Sequence, residues 1–137
     1  SDLSKDTRVR HTPDRLGFIT ALNLCVYAAR ANGLDVIDGV QLDLENNELL
    51  QLSCEQGRDL GFDGKSLIHP KQIAAANSAF APDAQEIAGA RNIIAAFEEA
   101  QAQGKGVVVV KGRLVENLHV EEAKRLLELA DAVESLG

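Results

Sequence analysis

The 137-residue sequence predicts an α/β fold built on parallel strands. Two observations carry that expectation. "DVIDGVQLDL" is short, β-branched and apolar at both odd and even positions, the pattern of a strand buried on both faces, and "GKSLI" reads as a second parallel strand. Between them "NNELLQLSCEQGRDLG" has helical periodicity, so the order is strand, crossover helix, strand, a βαβ unit. A third observation concerns the end of the chain. From residue 104 the style changes: "GKGVVVVKGRLVEN" reads as a β-hairpin turning at Lys111-Gly112, and it divides the chain into residues 1–103 and an extension, 104–137.

Each remaining element has a local reason. In "HTPDRLGFITALNLCVYAARANG" Thr12 is placed as N-cap, Pro13 at the first helical position and Gly33 as the stop, with Leu16, Ile19, Leu22, Val26 and Ala29 on one face. A short helix is expected from Pro70 to about Phe80. "APDAQEIAGARNIIAAFEEAQAQG" follows as a long amphipathic helix with Ile87, Ile94 and Phe97 inward, and "HVEEAKRLLELADAVESLG" closes the chain with Leu126, Leu127, Ala130 and Val133 as its apolar stripe. Two strands with the composition of fully buried strands need neighbours on both sides to satisfy their backbone groups. The sheet is therefore expected to be completed by more chain or by other copies.

Composition limits the partners. With 45% apolar residues the chain can bury one ordinary core, and a net charge of −7 lacks the electrostatic footprint of a nucleic-acid binder. No apolar run approaches the roughly 20 residues that cross a bilayer, and the polar N-terminus has no signal-peptide stretch, so a cytosolic protein without a membrane partner is expected. Cys25 and Cys54 fall in helical patterns without CxxC spacing and are expected to be reduced core residues.

In parallel α/β proteins ligands bind at the carboxyl ends of the strands, which draws attention to Asp43 and Glu45 after the first strand and His69 after the second. Pro70 holds His69 extended at a helix start, where it either faces a pocket or fixes a loop by a hydrogen bond. Asp43, Glu45, Asn46 and Asn47 fit a metal site or a solvated helix start equally well. Asp38 and Asp63 precede glycines as turn formers do, and Arg58 and Arg91 read as surface ion-pair residues. Glu116 follows an apolar strand and stands beside Asn117 and His119. It is a candidate general acid or base, or else a helix-start carboxylate favoured by the macrodipole.

The segments "IDGVQLDLEN", "LGFDGKSLIHPKQI", "NSAFAPDAQEIAGAR" and "GKGVVVVKGRLVENLHVEEAKRLL", in this order, resemble the C-terminal half of the HpcH/HpaI aldolase and citrate lyase β-subunit family, in particular its CoA-ester lyases. The resemblance implies a TIM (β/α)8 barrel with "DVIDGVQL" and "GKSLI" as strands seven and eight, and a hairpin-helix lid that packs over a neighbouring subunit's active site. "SDL" looks like the tail of a G-x-x-DL motif that ends strand six, which makes Asp2 a Mg²⁺ ligand together with a Glu of the fifth strand. Asp38 and His69 fall near the pocket mouth, in support of the CoA chain or of loop shape. Glu116 takes the position of the lid's acid/base residue, where the family's lyases carry Asp. The implied activity is Mg²⁺-dependent carbon–carbon cleavage, or formation, of a 3-hydroxyacyl-CoA ester such as malyl-CoA or citramalyl-CoA, yielding an acyl-CoA and an oxo acid such as glyoxylate or pyruvate. The implied partners are a missing N-terminal half or other subunits, in a homo-oligomer, trimer or hexamer. Two alternatives stay open: an aldolase acting on free hydroxy-oxo acids, and a non-catalytic assembly module.

Overall fold

Residues 2–136 are described by the computed structural model. In chain order they form α1 (Asp2–Thr7), α2 (Ile19–Ala31), β1 (Ile37–Asp38), α3 (Asn47–Asp59), β2 (Gly64–Lys65), α4 (Ile73–Phe80), α5 (Ala84–Ala102), β3 (Val108–Val110), β4 (Arg113–Val115) and α6 (Asn117–Leu136). Single 3-10 turns at Leu16–Phe18 and Pro70–Gln72 lead into α2 and α4. The chain divides into two compact units, one ending at Phe80 and the other starting at Ala81. Helix α5 thus groups with the hairpin and α6, whereas the division expected from the sequence lay between residues 103 and 104.

The first unit is the βαβ unit. β1 and β2 pair in parallel with Ile37 opposite Gly64 and Asp38 opposite Lys65, and α3 is the crossover helix between them. Asn46 caps α3 by accepting a hydrogen bond from the Leu49 N–H, which satisfies one of the donors a helix start leaves free. Leu50 and Cys54 of α3 face Ala76 and Ala79 of α4, and Leu67, Ala75 and Phe80 close around them. The strands are shorter than their apolar runs. A ladder extends only as far as a partner lies alongside, and among the described residues each strand of this pair has only the other. Ile37, Val40, Leu42 and Ile68 are exposed, as expected of strands composed for burial on both faces.

Several expectations for this unit fail. Thr12 does not cap α2, and Pro13 is not its first residue. Arg15 adopts left-handed backbone (φ 50°), which no helix can contain, and α2 starts only at Ile19 after the turn at Leu16–Phe18. The Thr12 hydroxyl donates instead to the Asp14 carboxylate, which also accepts from the Leu16 N–H. Of the proposed α2 stripe only Val26 is buried, while Leu16 is exposed. Cys25 is likewise exposed rather than in the core.

The second unit packs α5 against α6 and the hairpin. Asp83 and Glu86 form a capping box at the start of α5. β3 and β4 are antiparallel, and Lys111 (φ 47°) and Gly112 (φ 78°) make the turn with positive φ at both positions, the two-residue geometry that matches strand twist. Phe97, Val115 and Val120 form the core, with Ile93, Ile94, Val108 and Val110 against it. The α6 stripe is displaced toward its first turns: Val120 and Ala123 are buried, and Val133 is exposed. Among the described residues no helix is long and apolar enough to cross a membrane.

The thiols test this packing. Cys54 is fully buried, and burial raises its pKa, whereas Cys25 is exposed. Ellman's reagent should modify Cys25 at once in the native protein and reach Cys54 only at the rate of unfolding; equal rates would contradict the placement of α3 against α4.

Candidate functional site

The parallel register puts Asp38 beside Lys65 at the carboxyl end of the strand pair, and their side chains meet there fully buried. Lys65 Nζ donates to Asp38 Oδ2 at 2.9 Å. Arg15, its side chain 19% exposed, brings Nη1 to 2.8 Å from both carboxylate oxygens, and the Gly39 N–H donates to Oδ1 at 2.8 Å. One carboxylate thus accepts from two cations and a backbone amide. Arg15 is held in turn by Gln56, whose Oε1 accepts from its Nε and whose Nε2 donates to the Asp14 carbonyl. The left-handed backbone at Arg15 aims the guanidinium back at the strand.

A second brace joins the loops after the strands. Gln72, 2% exposed, accepts from the Ile68 N–H through Oε1 at 3.0 Å and donates through Nε2 to the Gln41 carbonyl at 3.0 Å. His69 precedes it in extended backbone, and its Nδ1 accepts from the Lys71 N–H at 3.1 Å. A neutral His69 consequently carries its proton on Nε2. The ring caps the turn that follows it.

Asp38 is paired inside the protein. Its oxygens are occupied within the protein and buried, and they join the ends of the two strands to the loop that carries Arg15. Asp43 Oδ1 accepts from the Glu45 and Asn46 N–H groups, and Asn46 caps α3, so this stretch is a helix start. Asp63 accepts from Arg30 and from the Val36 N–H and ties α2 to the strand pair.

Asp2 is exposed in the first turn of α1, a helix where the motif reading had a strand ending. Carboxylates favour helix starts, and no strand partner lies beside it among the described residues. Among the described residues no three His, Cys, Asp or Glu side chains gather as a metal site would require. Asp2 suits a hard cation chemically, but it is a single donor.

In the second unit Glu116 is exposed at the junction of β4 and α6. Its carbonyl accepts from the His119 N–H, and its own N–H donates to His119 Nδ1 at 3.0 Å, half of a capping box with histidine in the acceptor role. The backbone is thereby fixed at an exposed residue. Alongside, α5, the hairpin and α6 line a groove of about 820 Å³ that includes Asn92, Lys111, Arg113, His119 and Glu122.

Sequence reasoning missed Arg15, Lys65 and Gln72. The signal for Lys65 was present, since two parallel strands ending in Asp38 and Lys65 pair these residues once the register is known. Arg15 had no such signal, because a left-handed arginine leaves no trace in periodicity.

Comparison with known proteins supplies the lineage. The profile of the family described as HpcH/HpaI aldolase/citrate lyase matches residues 1–70. The chain belongs to this family. Among its relatives, a (3S)-malyl-CoA thioesterase of Cereibacter sphaeroides is 49% identical over 137 residues, which is 100% of this chain and 48% of that protein. An L-malyl-CoA/beta-methylmalyl-CoA lyase of the same species is 38% identical over 79% of this chain and 34% of that protein. The crystal structure of CitE from Mycobacterium tuberculosis in complex with magnesium, acetoacetate and coenzyme A matches with a TM-score of 0.65 at 30% identity, over 77% of this chain and 38% of that one. The chain spans about half the length of the curated relatives it matches.

The buried ion cluster yields a stability prediction. Asp38→Asn leaves Lys65 and Arg15 without their counter-charge, and removing one partner of a buried pair costs roughly 3–5 kcal/mol. Urea unfolding should show a loss of that size, and a loss under about 1 kcal/mol would mean that the cluster is solvated.

Proposed function

We propose that this chain supplies the C-terminal part of a Mg²⁺-dependent enzyme acting on a 3-hydroxyacyl-CoA ester of the malyl-CoA type. In this reading β1 and β2 are the last two strands of a (β/α)8 barrel, residues 104–137 are its lid, and the enzyme is a homo-oligomer in which the lid serves a neighbouring subunit. The observation that carries the proposal is the 49% identity, across the whole chain, to a protein named for malyl-CoA hydrolysis. That name favours water attack on the thioester, releasing CoA and the free hydroxy acid. Carbon–carbon cleavage to an acyl-CoA and an oxo acid is the second reading, supported by 38% identity to a malyl-CoA lyase.

Both reactions need a base at an oxygen. Hydrolysis requires a proton to leave the attacking water, and carbon–carbon cleavage requires it to leave the 3-hydroxyl group as that carbon becomes a carbonyl. Glu116 is suited to either role. Its carboxylate is exposed, its backbone is locked as the cap of α6, and it is one methylene longer than the Asp of the family's lyases. Mg²⁺, when bound, polarises the acid's oxygens; Asp2 would be one ligand, and the others come from residues beyond those described. The Asp38 cluster and Gln72 hold the mouth in shape, and His69 supports it.

Incubation of the intact protein with malyl-CoA and Mg²⁺ tests the proposal. Free thiol appearing with malate supports hydrolysis, glyoxylate appearing without free thiol supports cleavage, and no consumption of the ester would contradict both readings. Glu116→Gln should lower turnover by roughly 10²-fold or more with KM nearly unchanged. A fully active variant would remove Glu116 from the chemistry.

A further inference from the structure

Two helices of the second unit begin with the same backbone arrangement and close it with different chemistry. At the start of α5 the third helical residue is Glu86, whose carboxylate accepts from the Asp83 N–H at 2.8 Å. At the start of α6 the third helical residue is His119, and its Nδ1 accepts from the Glu116 N–H at 3.0 Å. Histidine is the side chain whose ordinary charge change falls between about pH 5 and 8, whereas carboxylates as a class change at about pH 4. Mild acid thus reaches the α6 cap and spares the α5 cap.

The geometry dictates where the proton goes. A neutral imidazole has one N–H, and with Nδ1 accepting from the Glu116 N–H that hydrogen sits on Nε2. The next proton enters at Nδ1, where it leaves two donors facing each other and breaks the bond. A cation in the first turn also opposes the helix dipole. The ring is half-buried in the groove, which it shares with Glu86 of α5, Lys111 and Arg113 of the hairpin and Glu122 of its own helix, and Glu116 beside it is exposed. Val115 and Val120 flank the segment and are buried in one core, so loss of the bond frees residues 116–119 without unfolding the unit.

We infer that His119 is a proton-operated latch on Glu116: neutral, it holds the start of α6 closed, and protonated, it lets that turn open. The neutral form carries the acceptor, so the latch is shut above the histidine's titration and opens as pH falls through it. The latch itself stands on the geometry of the cap. Its effect on turnover rests on the CoA-ester reading above, in which Glu116 is the acid/base. His119 acts there through Glu116 and is a positioning residue, so acid disables the site by moving Glu116 before any chemistry is attempted.

NMR of the intact protein tests the latch. At about pH 8 the His119 ring should be the Nε2–H tautomer. On going to about pH 5 the protection of the Glu116, His119 and Val120 amides, taken relative to an unstructured chain at the same pH, should fall about fivefold, the factor brought by loss of one helix cap, while the first turn of α5 keeps its protection. His119→Gln offers an amide oxygen to the same N–H without titrating, and it should abolish the change. Turnover of malyl-CoA should fall over the same range in the native protein, and its acid limb should move to lower pH in His119→Gln. An Nδ1–H tautomer at about pH 8, unchanged protection at about pH 5, or a loss that persists in His119→Gln would overturn the latch and leave the CoA-ester reading intact. A latch that opens as described in a protein that turns over no ester would overturn that reading and keep the latch. Opening with turnover unaffected would keep the latch and remove Glu116 as the acid/base.

Discussion

The buried carboxylate of Asp38 is the constraint on which the first unit depends. A two-stranded parallel sheet with four residues in register is a weak element by itself, and what fixes its carboxyl end is the meeting of Asp38 with Lys65 from the neighbouring strand and Arg15 from the preceding loop. Taking a carboxylate and an ammonium out of water is costly, and the cluster persists because each lone pair of Asp38 finds a donor. The consequence is positional. One contact pairs the strands, another brings the loop of residues 8–15 to their carboxyl ends, and Gln56 secures the same loop from α3.

Gln72 performs a corresponding task between the loops that follow the two strands. Its amide offers one acceptor and one donor, and it uses them on two different loops, where an apolar side chain of the same size would leave two backbone groups unpaired. In the second unit the same logic appears with a histidine. His119 accepts from the Glu116 N–H, so the carboxylate that the proposed chemistry needs is attached to a helix start that cannot swivel. In each case a polar side chain satisfies backbone groups, and thereby decides where a loop stands.

The elements themselves were largely legible in the sequence. The crossover helix, the helix ending at Phe80, the long α5 and the Lys111-Gly112 hairpin follow from periodicity and from the glycine at the turn. The start of α2 was not legible, because Thr12-Pro13 is a strong helix-start pattern that a single left-handed residue, Arg15, overrides. The site was legible in part. His69 and Glu116 stand where their neighbours Pro70 and Asn117 suggested, in a loop and at a helix start. Asp38 looked like a turn residue before glycine, and its true role depends on two cations distant in sequence. Long-range pairings of that kind leave no local pattern.

Hydrogen exchange of the segment around residues 9–16, compared between the native protein and Asp38→Asn, tests most directly whether the ion cluster holds that loop to the strand ends. If Asp38 tethers that loop, its amides should exchange at least tenfold faster in the variant while those of α5 and α6 keep their native rates, since a factor of ten requires only about 1.4 kcal/mol of lost local stability. Unchanged protection of residues 9–16 in the variant would show that the loop is held by other contacts, and the account built on Asp38 would be wrong.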